Sequence, residues 1–285
     1  MIRPILQNKQ IIMTSCADNI HDIICNDPNN IVVASMTCDD YFKKIITVIK
    51  KIHNRCYMKF INSQTKNGEN TCKFIVTGDN SDNTMNCTRI VMKKKHFKYL
   101  RCDEKELFIK INVNDFCKKL DMINSYSEII FYIKKDNINH LFINIITDKN
   151  SNNATRIPLI ELNYNNISPL KIVFNDKLSV RSWYFFSIFK QIACSSKTID
   201  IITDKKTILF VYTHGNKIKN IDNNINVNTD ITTTNLGTYD LTTLSLISDF
   251  YEVYSEINMY FKENGLAFVI PIGFGKIYFL IESKK

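Results

Sequence analysis

The feature that most constrains the fold of this chain is a unit of alternating strands and one short amphipathic helix. Residues 99–120 show the unit most clearly, as a short alternating run, a charged turn at Asp103–Lys105 and a second alternating run at Leu107–Asn112. Strict alternation of apolar and polar residues is typical of strands that bury one face. The segment therefore predicts a strand, a turn and a strand, and an amphipathic helix follows directly.

We predict that this helix begins behind Asn114, because an asparagine side chain can accept hydrogen bonds from the free N–H groups of a first helical turn. Phe116 and Leu120 fall on one face of the helix, and Lys118 and Lys119 fall on the other. A single basic helix face is usually a solvated surface, so these lysines alone do not indicate a binding site.

The same unit recurs along the chain. Three further helical patterns cover about 40–53, 179–193 and 242–253, so the four helices are roughly 60–70 residues apart and each is followed by three or four strands. The predominance of strands predicts an α+β fold, with sheets on one side and a helix layer on the other.

The repeated units also predict the domain organisation. The polar segment Leu162–Pro169 separates two halves, each with two βαβββ-like units. We predict an N-terminal extension, a first domain, a connector and a second domain at residues 1–30, 31–161, 162–169 and 170–285. The role of the extension stays open at this point.

Bulk composition narrows the classes of partner. The chain has 37 Lys and Arg against 28 Asp and Glu, a net charge of +9 that favours a polyanionic partner, either nucleic acid or an anionic membrane surface. Nine scattered cysteines, without a CxxC pair, are typical of reduced intracellular thiols and predict no metal site. The apolar stretch Gly265–Ile281 is interrupted by Pro271 and Lys276, so it predicts a β-hairpin and not a membrane span.

Motifs of catalysis are missing from the sequence. It contains no phosphate-binding loop, no dinucleotide-binding glycine pattern and no HExxH zinc helix, and its five histidines are scattered. We therefore predict no catalytic residue, no cofactor and no metal. An active site that is assembled only in three dimensions remains the alternative.

From residue 31 to residue 285 the chain resembles the sliding clamps of the proliferating cell nuclear antigen (PCNA) type. YFKKIITVIKKIHN (41–54) resembles the first helix of the family, and 96–120 resembles its Tyr-Arg-Cys-Asp turn, strand and second helix. Residues 239–261 are similar to the fourth helix and the strand after it, and KIYFLIESK (276–284) resembles the terminal strand. The resemblance implies two similar clamp domains in each chain and a closed ring, usually of three chains, with helices lining a central hole and antiparallel sheets outside.

The resemblance also implies which residues contact DNA. Basic positions of the family's first three helices are matched by five lysines here, and two further lysines and His53 add cations to the same helices. The implied DNA-binding residues are Lys43, Lys44, Lys50, Lys51, Lys118, Lys119 and Lys190. The fourth helix departs from the family pattern, since Asp249 stands where a lysine is frequent, and Asp121 similarly replaces a cation of the second helix.

Two protein-binding surfaces are implied as well. In the family, client proteins insert a short helical plug of apolar and aromatic residues between the connector and the C-terminal strand. The matching groove residues are Leu162, Tyr164, Ile167, Pro169, Phe279, Leu280 and Ile281. Neighbouring subunits pair through edge strands, and the matching interface residues are Leu141, Ile143, Ile145, Lys217, Ile218 and Lys219.

The function that the resemblance implies is that of a DNA polymerase sliding clamp without enzymatic activity. Such a clamp encircles double-stranded DNA as a homotrimer and docks the polymerase and other replication and repair proteins through a short peptide. The alternative keeps the fold but not the closed ring: a monomeric DNA-binding processivity factor or a viral transcription factor. The implied location is intracellular, in the nucleus or at a cytoplasmic viral replication site, and the biased composition favours a divergent viral member.

Overall fold

A computed structural model of the chain describes most of its residues. The described ranges are 20–38, 40–64, 70–78, 86–121, 127–147, 152–161, 176–204, 207–214, 217–223, 236–252, 254–262, 265–273 and 275–283.

The described residues form short helices and many strands. The helices are α1 (20–26), α2 (Asp40–Ile52), α3 (Val113–Leu120), α4 (Ser182–Ala193) and α5 (Leu241–Ser248), with 3-10 turns at Lys94–His96 and Asp249–Glu252. The strands of the first half are β1 (Asn30–Cys38), β2 (Arg55–Gln64), β3 (Asn70–Gly78), β4 (Asn86–Lys93), β5 (Tyr99–Cys102), β6 (Glu106–Asn112), β7 (Ser127–Lys134), β8 (Asn137–Ile146) and β9 (Asn152–Pro158). Those of the second half are β10 (Asp176–Arg181), β11 (Thr198–Asp204), β12 (Thr207–His214), β13 (Lys217–Asn223), β14 (Leu236–Asp240), β15 (Glu256–Lys262), β16 (Gly265–Ile272) and β17 (Gly275–Glu282).

The four predicted helices are present as α2, α3, α4 and α5, with two corrections at their starts. Helix α3 is capped by Asn112 and not by Asn114, because the Asn112 side-chain oxygen accepts hydrogen bonds from the backbone N–H groups of Asn114 (2.8 Å) and Asp115 (3.3 Å). Helix α4 begins at Ser182, three residues later than predicted, since residues 176–181 pair with β15 as strand β10. A strand expected at 170–174 lies outside the described residues.

The chain divides into two compact units, and each unit combines three separate segments of the chain. One unit combines the ranges 1–47, 55–76 and 92–162, and the other combines 48–54, 77–91 and 163–285. The predicted domain boundaries remain a proposal, because the connector at 162–169 lies outside the described residues.

In the first unit, an antiparallel sheet of order β5-β1-β7-β8-β9 has its two faces covered by different helices. Phe42 of α2 and Phe116 of α3 pack their rings on Phe131 of β7, with centroid distances of 6.4 and 5.7 Å. The Cys117 thiol also lies 3.8 Å from the backbone oxygen of Ile46, so α2 and α3 are neighbours on this face. Strands β3, β2 and β6 follow one another in a second sheet.

The other face of the five-stranded sheet is covered by α1, within the predicted N-terminal extension. Cys25 of α1 is buried against Val33, Ile130 and Tyr132, whose side chains alternate with those that face α2 and α3. Burial, reinforced by the nearby Glu128 carboxylate, raises the pKa of the Cys25 thiol to about 11, so the thiol stays protonated at neutral pH. At least the end of the extension is therefore part of the folded unit.

Arg101 makes three of the side-chain hydrogen bonds that hold the backbone of the turn after α1. The Arg101 guanidinium donates hydrogen bonds to the backbone oxygens of Cys25 (3.0 Å), Asp27 (2.8 Å) and Asn30 (2.6 Å). Arg101 belongs to the Tyr-Arg-Cys-Asp turn that the sequence singled out, and here its charge anchors the polypeptide that enters β1.

In the second unit, helix α4 packs on two sheets through aromatic residues. Phe189 meets Phe210 of the sheet ordered β13-β12-β11-β14, at 5.7 Å between ring centroids. Phe185 meets Phe268 of the strands ordered β10-β15-β16-β17-β4, at 5.5 Å. Helix α5 lies beside α4, and Phe250, in the 3-10 turn after α5, packs on Phe279 of β17. The buried side of α4 is thus fixed at two points, which also fixes the side that it turns to solvent.

Candidate nucleic-acid interface

The basic side of α2 follows from its apolar periodicity. Phe42, Ile45, Ile46, Val48 and Ile49 are buried, so the outward side of the helix consists of other positions. These positions carry Lys43, Lys44, Lys50 and Lys51, of which Lys43 is half-buried and the other three are exposed.

Lys43 is the α2 lysine that contacts α3. Its ammonium lies 3.3 Å from the backbone oxygen of Asp121 and 3.7 Å from the Asp121 carboxylate. The acid that departs from the family pattern in the second helix therefore partly neutralises one of the implied DNA contacts. An exposed ion pair of this kind stabilises by about 0–1 kcal/mol, so a phosphate can still compete for the lysine.

Helix α3 presents a small basic end. The Lys118 side chain is 72% exposed, and its ammonium lies 3.6 Å from the Asp115 carboxylate one turn earlier. Lys119 is half-buried. Both lysines lie in the last turn of the helix, where a cation is favoured by the helix dipole.

Asp249 stands where the family frequently has a lysine, and it also forms an ion pair with a lysine of α2. Its carboxylate lies 2.9 Å from the Lys51 ammonium, and both side chains are partly exposed. Helix α5 itself, which ends just before Asp249, contains no charged residue. The fourth helical segment thus lacks a lysine and also neutralises one on α2.

His53 was expected to add a cation beside the lysines of α2, and this expectation is wrong. The side chain is only 3% exposed, and its Nε2 atom lies 3.0 Å from the Thr88 hydroxyl. The imidazole therefore belongs to the interior and is out of reach of a phosphate.

Helix α4 exposes one cation among aromatic rings. The Lys190 ammonium is exposed and lies 5.2 Å from the centroid of the Phe186 ring. Trp183, two turns earlier on the same side, is 57% exposed. Of these residues, only Lys190 was implied by the sequence as a functional residue.

Of the implied groove residues, Leu162, Tyr164, Ile167 and Pro169 lie outside the described residues. Phe279 and Ile281 are buried, so they do not line an open groove in this structure, whereas Leu280 is half-buried. The reason is strand alternation, which turns residues 277, 279 and 281 of β17 toward the core. Tyr278 shares the outer face with Leu280, and alternation could have identified it from the sequence.

The predicted subunit-interface residues of β8 are also corrected. Leu141, Ile143 and Ile145 are fully buried, and β8 pairs with β7 on one side and β9 on the other, so it is not an edge strand. Strand β9 is the edge of the described sheet. The backbone of Lys217, Ile218 and Lys219 does lie in an edge strand, β13, which pairs with β12. The side chains of these three residues lie outside the described part of the chain.

Within the ranges that the structure describes, no group of three or more His, Cys, Asp or Glu side chains is placed to hold a metal ion. None of the described helices is long and apolar enough to span a membrane.

Comparison with known proteins gives a sequence relative and a structural relative. The chain is 28% identical over 138 residues to a probable DNA polymerase sliding clamp of Acanthamoeba polyphaga mimivirus, a match that spans 47% of this chain and 29% of the mimivirus protein. No family model matches the chain.

The structural relative is the proliferating cellular nuclear antigen of Entamoeba histolytica. Its crystal structure superposes with a TM-score of 0.74, at 11% sequence identity, over 90% of this chain and 100% of the amoebic one. Because the superposition includes the whole amoebic chain, the arrangement of helices and antiparallel sheets predicted from the repeated units is confirmed. The chain therefore has the fold of the sliding clamps.

Proposed function

We propose that this chain is a DNA polymerase sliding clamp that encircles double-stranded DNA and has no catalytic chemistry of its own. The observation that carries the proposal is the clamp fold, which extends over 90% of the chain. The mimivirus relative, a probable DNA polymerase sliding clamp, supports the same function from sequence.

The lysines of α2 and α3 suit a protein that holds DNA by topology. A ring needs no base readout and no tight grip, but it does need cations that exchange phosphates while it slides. Lys44, Lys50 and Lys118 are exposed on short helices and meet this need. Lys43, Lys51 and Lys118 each have a carboxylate as alternative partner, and Lys119 and Lys190 complete the proposed lining.

We propose that the ring closes through strands β9 and β13, and not through β8. Each has a single strand neighbour in its sheet within the described residues, so each has a free row of backbone donors and acceptors. Unpaired edges of this length promote uncontrolled association, and pairing β9 of one copy with β13 of the next removes both. Three copies joined in this way form the proposed homotrimer.

Client proteins, the polymerase among them, would dock on the outer face of β17 beside the connector. Leu280 and Tyr278 are the half-buried residues of this face. An apolar helical plug could cover them together with connector residues 162–169, in the helix-in-groove mode. The proposed location is wherever the DNA is replicated inside the cell.

The decisive experiment compares retention on circular and on linear DNA. The protein is loaded on nicked circular duplex, challenged with high salt and then treated with a restriction enzyme that opens the circle. A closed ring stays on the circle in salt and is released after cutting, and its solution mass is three times that of the 33.2 kDa chain. Phosphate contacts alone would weaken steeply with salt on both DNAs.

A salt-sensitive complex on circles, formed by a protein of monomeric mass, would contradict the ring. It would favour the monomeric processivity factor. Polymerase or nuclease activity that is lost on changing a single carboxylate would contradict the absence of catalysis.

A further inference from the structure

The outward side of α4 differs from that of an ordinary solvated helix. Its buried side is held by Phe185 and Phe189 against two sheets, so the opposite side has a fixed orientation. On that side Trp183 is 57% exposed, the one exposed aromatic ring among the large apolar side chains of the described residues. Tyr184 packs edge-on against it, with a centroid distance of 5.7 Å and an interplanar angle of 78°. An indole that is held in place and left in water is a costly feature for a helix surface.

A second aromatic surface lies one turn further along the helix. Phe186 stacks on Tyr251 of the 3-10 turn after α5, with centroids 3.9 Å apart and an interplanar angle of 22°. The Lys190 ammonium lies over the Phe186 ring and is itself exposed. Trp183, Phe186 and Lys190 thus follow one another at three- and four-residue spacing, which places them along one side of α4.

The charge around these rings favours an anion. Helix α4 contains Lys190 and no acidic residue, and the neighbouring Asp249 carboxylate is already paired with Lys51. An exposed ring beside a cation suits single-stranded nucleic acid, with a base on the ring and a phosphate on the cation. In a duplex the faces of the bases are hidden by their neighbours, so duplex DNA offers only its phosphates to such a surface.

We propose that the outward side of α4 is a binding site for single-stranded DNA. One base stacks on the exposed face of the Trp183 indole, and a neighbouring phosphate contacts the Lys190 ammonium. A clamp that contacts only the phosphates of a duplex has no use for an exposed tryptophan. The site therefore goes beyond the proposed function, and it exists whether or not the ring closes.

Trp183 is the chain's single tryptophan, so its fluorescence reports on this site alone. Oligothymidylate of about 20 nucleotides, a length that spans a typical single-strand site, is titrated into the full-length protein. We expect saturable quenching, because a stacked base deactivates the excited indole, and we expect a duplex of equal length to quench far less.

Matched variants test the two contacts separately, with binding followed by the anisotropy of a labelled oligothymidylate. Trp183→Ala should weaken binding about tenfold, whereas Trp183→Phe should retain most of the affinity, since a ring remains for stacking. Lys190→Ala should lower the slope of log K against log salt by about 0.7, as expected for one lost contact to single-stranded phosphate. Ile138→Ala, which removes another exposed apolar side chain, should change nothing.

Unchanged fluorescence with oligothymidylate, or equal affinities of the wild type and Trp183→Ala, would overturn the site. So would quenching by an apolar peptide with none by oligothymidylate, because the surface would then bind protein. The result is separable from that for the clamp. Trp183→Ala should still be retained on circular duplex in high salt if the ring exists, and loss of retention in the wild type would leave the fluorescence result intact.

Discussion

The helix pair α2–α3 and the helix pair α4–α5 carry different chemistry on their outward sides. The first pair has six lysines, four in α2 and two in α3, whereas the second pair has one in α4 and none in α5. In place of cations, the second pair and the turn after it expose Trp183, the Phe186–Tyr251 stack and Asp249.

The inward sides of the same pairs are alike. Phe116 of α3 and Phe185 of α4 are both fully buried, and each packs against a phenylalanine of a neighbouring strand. The repeated unit therefore constrains the residues that pack against the sheets. It does not constrain the residues on the outward sides of the helices, and these differ between the two pairs. Two similar halves can therefore share a fold while their outward sides differ, one rich in lysines and the other in aromatic rings.

The largest expected effect tests whether the buried sides of the two helix pairs contribute equally to stability. Phe116→Ala and Phe185→Ala should each lower the free energy of unfolding by about 3–5 kcal/mol, because each leaves a cavity in a close-packed aromatic cluster. Urea unfolding of both variants measures this, with Trp183→Ala as a surface control that should cost less than about 0.5 kcal/mol. A loss below about 1 kcal/mol at either phenylalanine would show that the two cores are not equivalent.

The next effect tests the contrast in charge. Replacing Lys44, Lys50 and Lys118 with Ala should lower the slope of log K against log salt for linear duplex by about 2.7, at about 0.9 for each lost phosphate contact. Lys190→Ala should lower it by about 0.9 at most. The triple change Lys93, Lys94 and Lys95 to Ala removes as many exposed lysines away from the helices and serves as the control. An equal loss in the control would mean that DNA binding follows net charge and not the helix surfaces.

A smaller effect compares the helix caps of the two pairs. The Asn112 side chain caps α3, and the Asp240 side chain caps α5 by accepting a hydrogen bond from the Thr243 backbone N–H at 3.2 Å. Alanine at either position should cost about 1 kcal/mol of unfolding free energy, whereas serine should restore most of the loss. Thermal unfolding measures both, and an uncapped helix of unchanged stability would indicate that tertiary packing alone holds it.

The smallest expected effect concerns Asp249, the acidic residue that follows α5 and pairs with Lys51 of α2. Asp249→Asn should free Lys51 and strengthen duplex binding by a factor of about 1.4 to 5, since an exposed ion pair is worth about 0.2–1 kcal/mol. Asp121→Asn, which frees Lys43, is the matched change on the first pair. Titration at two salt concentrations distinguishes the variants, and unchanged affinity after Asp249→Asn would show that Lys51 does not reach a phosphate.

Much of the architecture was predictable because it depends on neighbours along the chain. The 3.6-residue period predicted a helix over about 179–193, and the structure has α4 there at Ser182–Ala193, with one side buried. The charged turn at Asp103–Lys105 likewise separates β5 from β6 as the alternation indicated.

The corrections share a different cause. The family resemblance matched β8 to an edge strand, but a match between segments does not tell which strands lie beside them, and β9 pairs with β8 here. The same limit applied to Phe279, whose apolar character suited either a groove or a core.

By itself, the sequence determined the number of repeated units, the apolar side of each helix and the excess of positive charge. Only the tertiary structure decided which lysines meet an acid, that His53 turns inward and that Trp183 remains in water. Lys51 and Asp249 are 198 residues apart, and no local pattern reports a contact over that distance. Periodicity is a property of one segment, whereas a charge pair or an exposed ring depends on what the rest of the fold brings beside it.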